Sequence, residues 1–510
     1  MTPPGPDSAH AEIAIIGAGL SGLGMAKTLR AAGMDDFVVL ERASDHGGTW
    51  RDNSYPGCAC DIPSVLYCYR DEPNPDWTRA YAPQTEIWDY MRGVVARHGL
   101  EPFIRYEHEL TGATFDEKRD RWEIETRGPA GETQRLTATV LVSGCGALAD
   151  PAIPALPGLE DFAGTVFHSA RWDHGHPLEG RKVAVVGTGA SAIQFVPEIQ
   201  PRVDRLTLFQ RTPPWVLPHS NPDIPARWRE HLSRRPRLQA LARGAVFSAQ
   251  EALHVAFRHP RLARLAEQQG RANINRAIAD PELRARLTPD FRLGCKRILR
   301  SNTWYPALAE DNVEVVSAGI TGVTADGIVD GRGGEHPADT IIFATGFHVT
   351  DPPIAERIRG RGGRLLADVW AGSPRTHLGM SVAGFPNLFF LLGPNTGLGH
   401  NSVLVMIEAQ IAYVQRLLRH RASVGASAVE PTAHAQAASV ADVDRGTEGT
   451  VWTAGGCTSW YLDRTGRNSA LWPASVRAYE RRLRRFDPGE YVWAPPRVAP
   501  TAPDAEPALA

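Results

Sequence analysis

The same local unit occurs twice in this chain, and that repetition narrows the folds open to it. Residues 11–42 pass from an apolar run, Ile13-Ala-Ile-Ile16, through Gly17-Ala-Gly19-Leu-Ser-Gly22 into a helical stretch from Leu20 to Ala32, and then to Phe37-Val-Val-Leu40. Residues 183–211 repeat the order: Val183-Ala-Val-Val186, then Gly187-Thr-Gly189-Ala-Ser191-Ala192, a helix through Ile199, then Leu206-Thr-Leu-Phe209. Short, continuously apolar strands joined by a helix are predicted to be parallel and buried on both faces.

Each glycine turn sits directly after a strand and opens a helix. Glycine is needed at the tight turn, where the backbone approaches a pyrophosphate, and where helix meets strand; the helix N-terminus then faces the phosphates. A bare Gly-x-Gly-x-x-Gly is expected about 0.4 times by chance in a chain this rich in glycine, so the context carries the reading. Gly17, Gly19 and Gly22 form the first turn; Gly187, Gly189 and Ser191 belong to the second, with Ala192 at the third glycine position, which the pattern tolerates. Glu41 stands 24 positions after Gly17, where a carboxylate can accept from a ribose hydroxyl. At the same offset from Gly187 stands Arg211, followed by Thr212. A carboxylate there would repel a 2′-phosphate, whereas a guanidinium can clamp it. The contrast predicts a free-ribose dinucleotide at the first site and NADPH at the second; an ordinary surface arginine is the alternative for Arg211.

The chain has 510 residues, enough for two or three domains. Its formal net charge of −2 argues against a nucleic-acid or membrane partner chosen by bulk charge, and no apolar run approaches the roughly 18 residues of a membrane span. The N-terminus does not read as a secretory signal; it reads as a disordered lead, and 494–510 as a disordered tail. The six cysteines are scattered, and Cys58-Ala-Cys60 has no second pair to complete a metal site, so reduced thiols in a cytoplasmic protein are expected.

The expected fold is α/β, with two Rossmann-like dinucleotide-binding domains. Ala138–Gly146 and Thr340–Gly346 are strand runs ending in glycine turns, of the kind that mark exit from and return to a flavin domain. Pro151 to Pro157 then reads as an exit linker. This predicts a first FAD-binding part at 1–150, an NADPH domain at 151–335, and a returning FAD part at 336–493. Within the middle domain, about 225–290 is Arg- and Ala-rich with helical spacing, a predicted helical insertion whose charge is a solvated face.

Three further segments are specific. Gly47-Gly48-Thr-Trp50-Arg-Asp-Asn-Ser-Tyr55-Pro56-Gly57-Cys-Ala-Cys-Asp61 is a Gly/Pro-rich loop that Asp61 could cap before Pro63. Phe162, Gly164, His168, Trp172 and Asp173 lie in the spaced pattern Phe-x-Gly-x3-His-x3-Trp-Asp, expected by chance about once in a thousand such chains. Gly294-Cys-Lys296-Arg297 precedes Trp304-Tyr305. Together these resemble the type I Baeyer–Villiger monooxygenases, in a flavoprotein disulfide-reductase-like fold. Phe343–Phe347, Gly393-Pro-Asn395 and Ser459-Trp460-Tyr461 resemble later segments of that family.

The resemblance implies an enzyme that uses NADPH, FAD and O2 to insert one oxygen atom beside a ketone carbonyl through a C4a-peroxyflavin, giving an ester or lactone. It implies that Arg297 reaches the flavin as the fixed cation and that Asp61 orients it. Gly48, Trp50, Asp61 and Asn395 would line the FAD, while Lys296 would join Arg211 at the 2′-phosphate and Trp460 would contact NADP. His168, Trp172 and Asp173 would couple domain movements. This chain departs from the family pattern at Ile298, where many members have Pro, and at Leu462-Asp-Arg-Thr-Gly, where Gly-Ala-Asn is common. A flavin monooxygenase oxidising N or S atoms is the alternative; its connector usually ends His-x3-Tyr. A flavin reductase feeding a partner would need neither Asp61 nor Arg297, and no metal or obligatory protein partner is expected.

Overall fold

The computed structural model describes residues 9–258 and 260–496. Two sheets organise it, one mixed and one wholly parallel. In the first, His10–Ile16 lies between Phe37–Leu40 and Thr133–Ser143, parallel to both. Thr133–Ser143 changes character along its length. Its first part is open and then alternates buried with half-buried, pairing antiparallel with Arg121–Arg127, while its last four residues are buried and the last three pair parallel with Leu388–Phe390. Burial on both faces requires the continuous apolar run that the sequence has there.

The second sheet has the order Val313–Val316, Arg205–Phe209, Lys182–Val186, Thr340–Phe343, Thr165–His168, all parallel. The two sheets use the same backbone device at their glycine turns. Gly17 N–H donates to Leu40 O at 2.8 Å, and Gly187 N–H to Phe209 O at 3.0 Å. An antiparallel three-stranded sheet, Ile320–Thr324, Gly327–Asp330 and Glu335–Pro337, packs beside the second sheet.

Two boundaries differ from the sequence reading. Thr340–Phe343 pairs inside the second sheet, so the chain does not return to the first sheet at 336; the strands that rejoin it are Ile358–Arg359 and Leu388–Phe390. A strand run before a glycine turn looks alike in either sheet, and only pairing distinguishes them. Ala494, read as the first residue of a disordered tail, is instead paired: its N–H donates to Ala428 O, and Ser427 N–H donates to Ala494 O. The rest of that tail from 497, and the lead at 1–8, lie outside the described residues.

Between the second glycine unit and Lys296 the chain forms Ala226–Ser233, Pro236–Arg258, Pro260–Ala277 and Pro281–Leu287, all helical. Glu251 on the second of these is buried and accepts from Asn401 Nδ2 at 3.0 Å, with His400 Nε2 at 3.1 Å. The helical insertion is thereby fastened to the loop before helix Val403–Ser423.

Candidate active site

At the first glycine turn, Gly22 is required by close approach: a Cβ there would lie 1.9 Å from Gly17 O. Helix Leu20–Ala31 has no side-chain cap at Gly19, which leaves its first N–H groups for a ligand. The turn opens into a cleft lined by Gly17, Gly19, Glu41, Gly48, Trp50 and Tyr67, with Leu392, Val403 and Ile407 also in its wall. Trp50 Nε1 donates to Tyr67 Oη at 3.1 Å. Glu41 is buried, and accepts from Ala18 N–H at 2.8 Å and Ala43 N–H at 3.0 Å while pairing with Arg51 at 3.0 Å. A phosphate-facing turn beside a carboxylate and an aromatic and aliphatic wall fits a dinucleotide bearing a flat apolar ring.

Asn395 does not line this cleft with its side chain. Its Nδ2 donates to Asn468 O at 2.7 Å and its Oδ1 accepts from Arg467 at 3.0 Å. The residue has a left-handed backbone (φ +60°), and its amide braces the loop.

At the second turn, Gly187 (φ +111°) leaves no room for a side chain: a Cβ would meet Ala344 O at 2.5 Å. Arg211 is exposed, and Lys296 Nζ donates to Thr212 Oγ1. Burial lowers the Lys296 ammonium below its ordinary range and the charge of Arg211 lowers it further, with Asp290 opposing. Two cations held near each other at the end of a dinucleotide unit fit an added phosphate, which would relieve that repulsion.

Asp61 and Arg297, 236 positions apart, meet in a two-point ion pair: Nε donates to Oδ2 at 2.6 Å and Nη2 to Oδ1 at 2.7 Å. Their side chains remain 37% and 26% exposed, so the pair is reachable from solvent. Burial alone would raise the Asp61 carboxyl, but Arg297 outweighs it and holds the group below the usual carboxylate range. The same partner raises Arg297 above its ordinary value, against burial. The guanidinium is thus a cation at every working pH, fixed in plane, with Nη1 also reaching Leu398 O at 3.4 Å.

The connector forms the edge of the second sheet. Gly164 is required because a Cβ would lie 2.3 Å from Asp339 O. His168 is 2% exposed, its Nδ1 accepts from Ala170 N–H at 3.1 Å, and burial, helped by Arg171, lowers its pKa to about 4. It is a neutral turn-former, away from the Asp61–Arg297 pair. Trp172 packs between Phe167 and Phe195, each 5.2 Å away, and Phe195 packs on Tyr55 at 6.0 Å. Phe162 is buried, and Asp173 caps a turn at Gly175 N–H.

Several residues escaped the sequence reading. Gln194, on helix Ala192–Ile199, accepts from Tyr55 Oη at 3.0 Å and donates to Ala59 O at 3.0 Å, tying the second unit to the segment that carries Asp61. Tyr461 is buried within electrostatic reach of Arg297, while Trp460 beside it is 45% exposed. No local pattern signals these contacts. The expectation of reduced thiols throughout is corrected at one pair: Cys295 and Cys457 are disulfide-bonded. Their separation of 162 residues hid the pairing. Cys58 and Cys60 are free and buried, and burial pushes the Cys58 thiol up to about 12. Among the described residues no helix is long and apolar enough to cross a membrane.

Comparison with known proteins agrees with this geometry. The family model for flavin-binding monooxygenase-like proteins matches residues 10–232. A Baeyer–Villiger monooxygenase of Streptomyces coelicolor is 48% identical, with 98% of this chain and 96% of that one covered. Among solved structures, cyclohexanone monooxygenase from a Rhodococcus species bound to NADP+ superimposes with a TM-score of 0.84 at 27% identity, covering 96% and 99% of the two chains. A complex of OTEMO with FAD and NADP gives a TM-score of 0.86 at 25% identity, covering 97% and 100%.

Proposed function

The chain belongs to the Baeyer–Villiger monooxygenases, and from that premise we propose that it converts a ketone to an ester or lactone with NADPH, FAD and O2, Arg297 and Asp61 being the residues that make it possible. The observation that carries the residue assignment is the two-point Asp61–Arg297 pair, partly open to solvent. When bound, NADPH supplies a hydride and FAD the means of activating oxygen. Attack on a carbonyl needs negative charge on the incoming oxygen. Arg297 stabilises that charge and, having no proton to give up at working pH, does not quench it. Asp61 sets the plane of the guanidinium and keeps it from swinging toward solvent. Oxidation of an N or S atom has no comparable need for a fixed cation, which makes it the weaker reading.

Around this centre, Gly17, Gly19, Gly22, Glu41, Gly48 and Trp50 are assigned to FAD, with Asn395 acting through its backbone. Glu41 keeps its protein partners and would share an oxygen with a ribose hydroxyl. Gly187, Gly189, Ser191, Arg211, Thr212 and Lys296 are assigned to NADPH, with Trp460 at its exposed edge. Phe162, Gly164, His168, Trp172 and Asp173 are read as the coupling between the two nucleotide units, supported by the ring contacts from Phe167 through Trp172 and Phe195 to Tyr55. The domain division that goes with this is a first FAD part to about 150, an NADPH part through Phe343, and a returning FAD part beyond it. A cytoplasmic setting, where NADPH is supplied, completes the proposal, with no partner protein required.

The experiment is incubation of the purified protein with NADPH and a panel of ketones, sulfides and amines under heavy-isotope oxygen gas. The expected product carries one labelled oxygen in an ester or lactone. NADPH consumption with only sulfide or amine oxides formed overturns the assignment.

A further inference from the structure

The Cys295–Cys457 bond has no part in the reaction argued above, yet each half lies next to that machinery. Cys295 directly precedes Lys296 and Arg297, and Cys457 stands three residues before Trp460 and four before Tyr461. The two ends are not equally anchored. Cys295 is fully buried in a cluster with Trp215, Leu217, Phe291 and Leu293, and that cluster is fixed by Trp215 Nε1 donating to Phe291 O at 2.8 Å. Cys457 is half-buried and follows Gly455 and Gly456, the latter with a left-handed backbone (φ +78°).

The stretch is anchored at its far end, where Tyr461 is buried with Ala470 and Leu471, meets Trp452 at 6.4 Å and lies tilted against Trp460 at 4.3 Å. On the near side Arg292 N–H donates to Gly455 O at 2.9 Å, and Trp460 itself is exposed. Gly455 itself is shaped to the disulfide: a Cβ there would meet Cys295 Cβ at 2.8 Å and Sγ at 2.9 Å. A two-glycine joint before Cys457 leaves the run from Cys457 to the exposed Trp460, ahead of the buried Tyr461, with backbone freedom that the sulfur bond removes.

We propose that the Cys295–Cys457 disulfide is a positioning latch, holding the Trp460–Tyr461 segment over Arg297 and the NADPH site, and that its cleavage by a dithiol loosens that cover. The inference rests on the placement of Arg297 and Trp460 made under the proposed function. Cleavage transfers two electrons and two protons from the dithiol, which leaves as its own disulfide, and two thiols remain on the enzyme. Closure returns two electrons to hydrogen peroxide, which leaves as two waters; peroxide is what NADPH and O2 yield when oxygen is not delivered to a ketone. The half-buried Cys457 is the side open to attack. A loosened cover admits water to the site, so turnover diverts from ester to peroxide.

The test compares the FAD-loaded enzyme as isolated, after dithiothreitol and its removal, after reoxidation with peroxide, and as Cys457→Ser and Cys457→Ala. In denaturant the isolated protein should show four titratable thiols, and six after reduction. With a ketone present, the share of NADPH oxidation that ends as peroxide should rise about fivefold on reduction and in both variants, while flavin reduction at saturating NADPH stays within about twofold. Reoxidation should restore wild type and leave the variants unchanged, which ties the effect to the sulfur bond, and a rise in peroxide with flavin reduction intact sets it apart from general loosening of the fold. Six thiols before reduction, or an unchanged peroxide share in the reduced enzyme, overturns the latch. If a variant does not fold, the reversibly reduced wild type carries the comparison. Absence of ester from the oxidised wild type sinks the underlying assignment instead.

Discussion

Removing Arg297 should separate two halves of one catalytic cycle. The Arg297→Ala change deletes two hydrogen bonds of 2.6 and 2.7 Å to Asp61 and the guanidinium proposed to stabilise an attacking oxygen anion. Loss of one such preorganised charge costs about 2.7–4 kcal/mol, or about 10²–10³ in rate. The fold pays less. Breaking a fully buried pair costs about 3–5 kcal/mol and a surface pair about 0–1. With side chains 26% and 37% exposed, this pair lies between, at about 1–2 kcal/mol. The variant should therefore fold and bind FAD. Stopped-flow absorbance should show flavin reduction by NADPH within about threefold of wild type, while ester measured by gas chromatography falls about 10²–10³-fold and peroxide takes its place. Arg297→Lys keeps the charge without the planar fork, and should recover part of the loss, leaving a deficit of about tenfold. Ester formation by Arg297→Ala at a rate near wild type would refute the reasoning. Equal collapse of flavin reduction would move Arg297 from oxygen transfer to NADPH binding.

The remaining predictions address the nucleotide sites and the connector. Arg211→Ala should raise the NADPH KM about 10–100-fold and the NADH KM less than about threefold, because the lost bonds are charge-assisted and reach only the 2′-phosphate; equal losses in steady-state assays count against the assignment. Gly22→Ala places a methyl 1.9 Å from Gly17 O, so the purified protein should be pale, with little flavin absorbance; a full complement of FAD contradicts that close approach. His168, lowered to about 4 from 6.5, binds fewer protons folded than unfolded between those values. Its contribution is complete above about pH 6.5 and is lost as pH falls toward 4, by up to about 3 kcal/mol. Urea melts of wild type and His168→Gln across that window should show a flatter profile for the variant, and parallel profiles would dismiss the histidine as the cause.

Much of this was legible in the chain because it is local. Strand, glycine turn and helix are contiguous in both units, and the requirement at Gly22 for no side chain arises from a carbonyl only five residues away. The 24-residue offset that sets Glu41 against Arg211 holds although helix Leu20–Ala31 has 12 residues and Ala192–Ile199 has 8, because the turn Gln200–Arg202 extends the shorter one. The roles of Asp61 and Arg297 could be read only through resemblance, since nothing between them marks a pair separated by 236 positions.

What the sequence by itself determined was the repeated nucleotide unit, the opposite charges that set its two copies apart, and the helical stretch between 225 and 290. These follow from periodicity and from chemistry within a few turns of chain. The tertiary structure alone decided which sheet Thr340–Phe343 joins, that Cys295 bonds Cys457, that Gln194 clasps the Tyr55–Ala59 segment, and that Asn395 braces a loop with its side chain. Each depends on which surfaces meet when two sheets and a helical insertion pack together. That choice is governed by shape and burial across hundreds of residues, for which a linear pattern has no local counterpart.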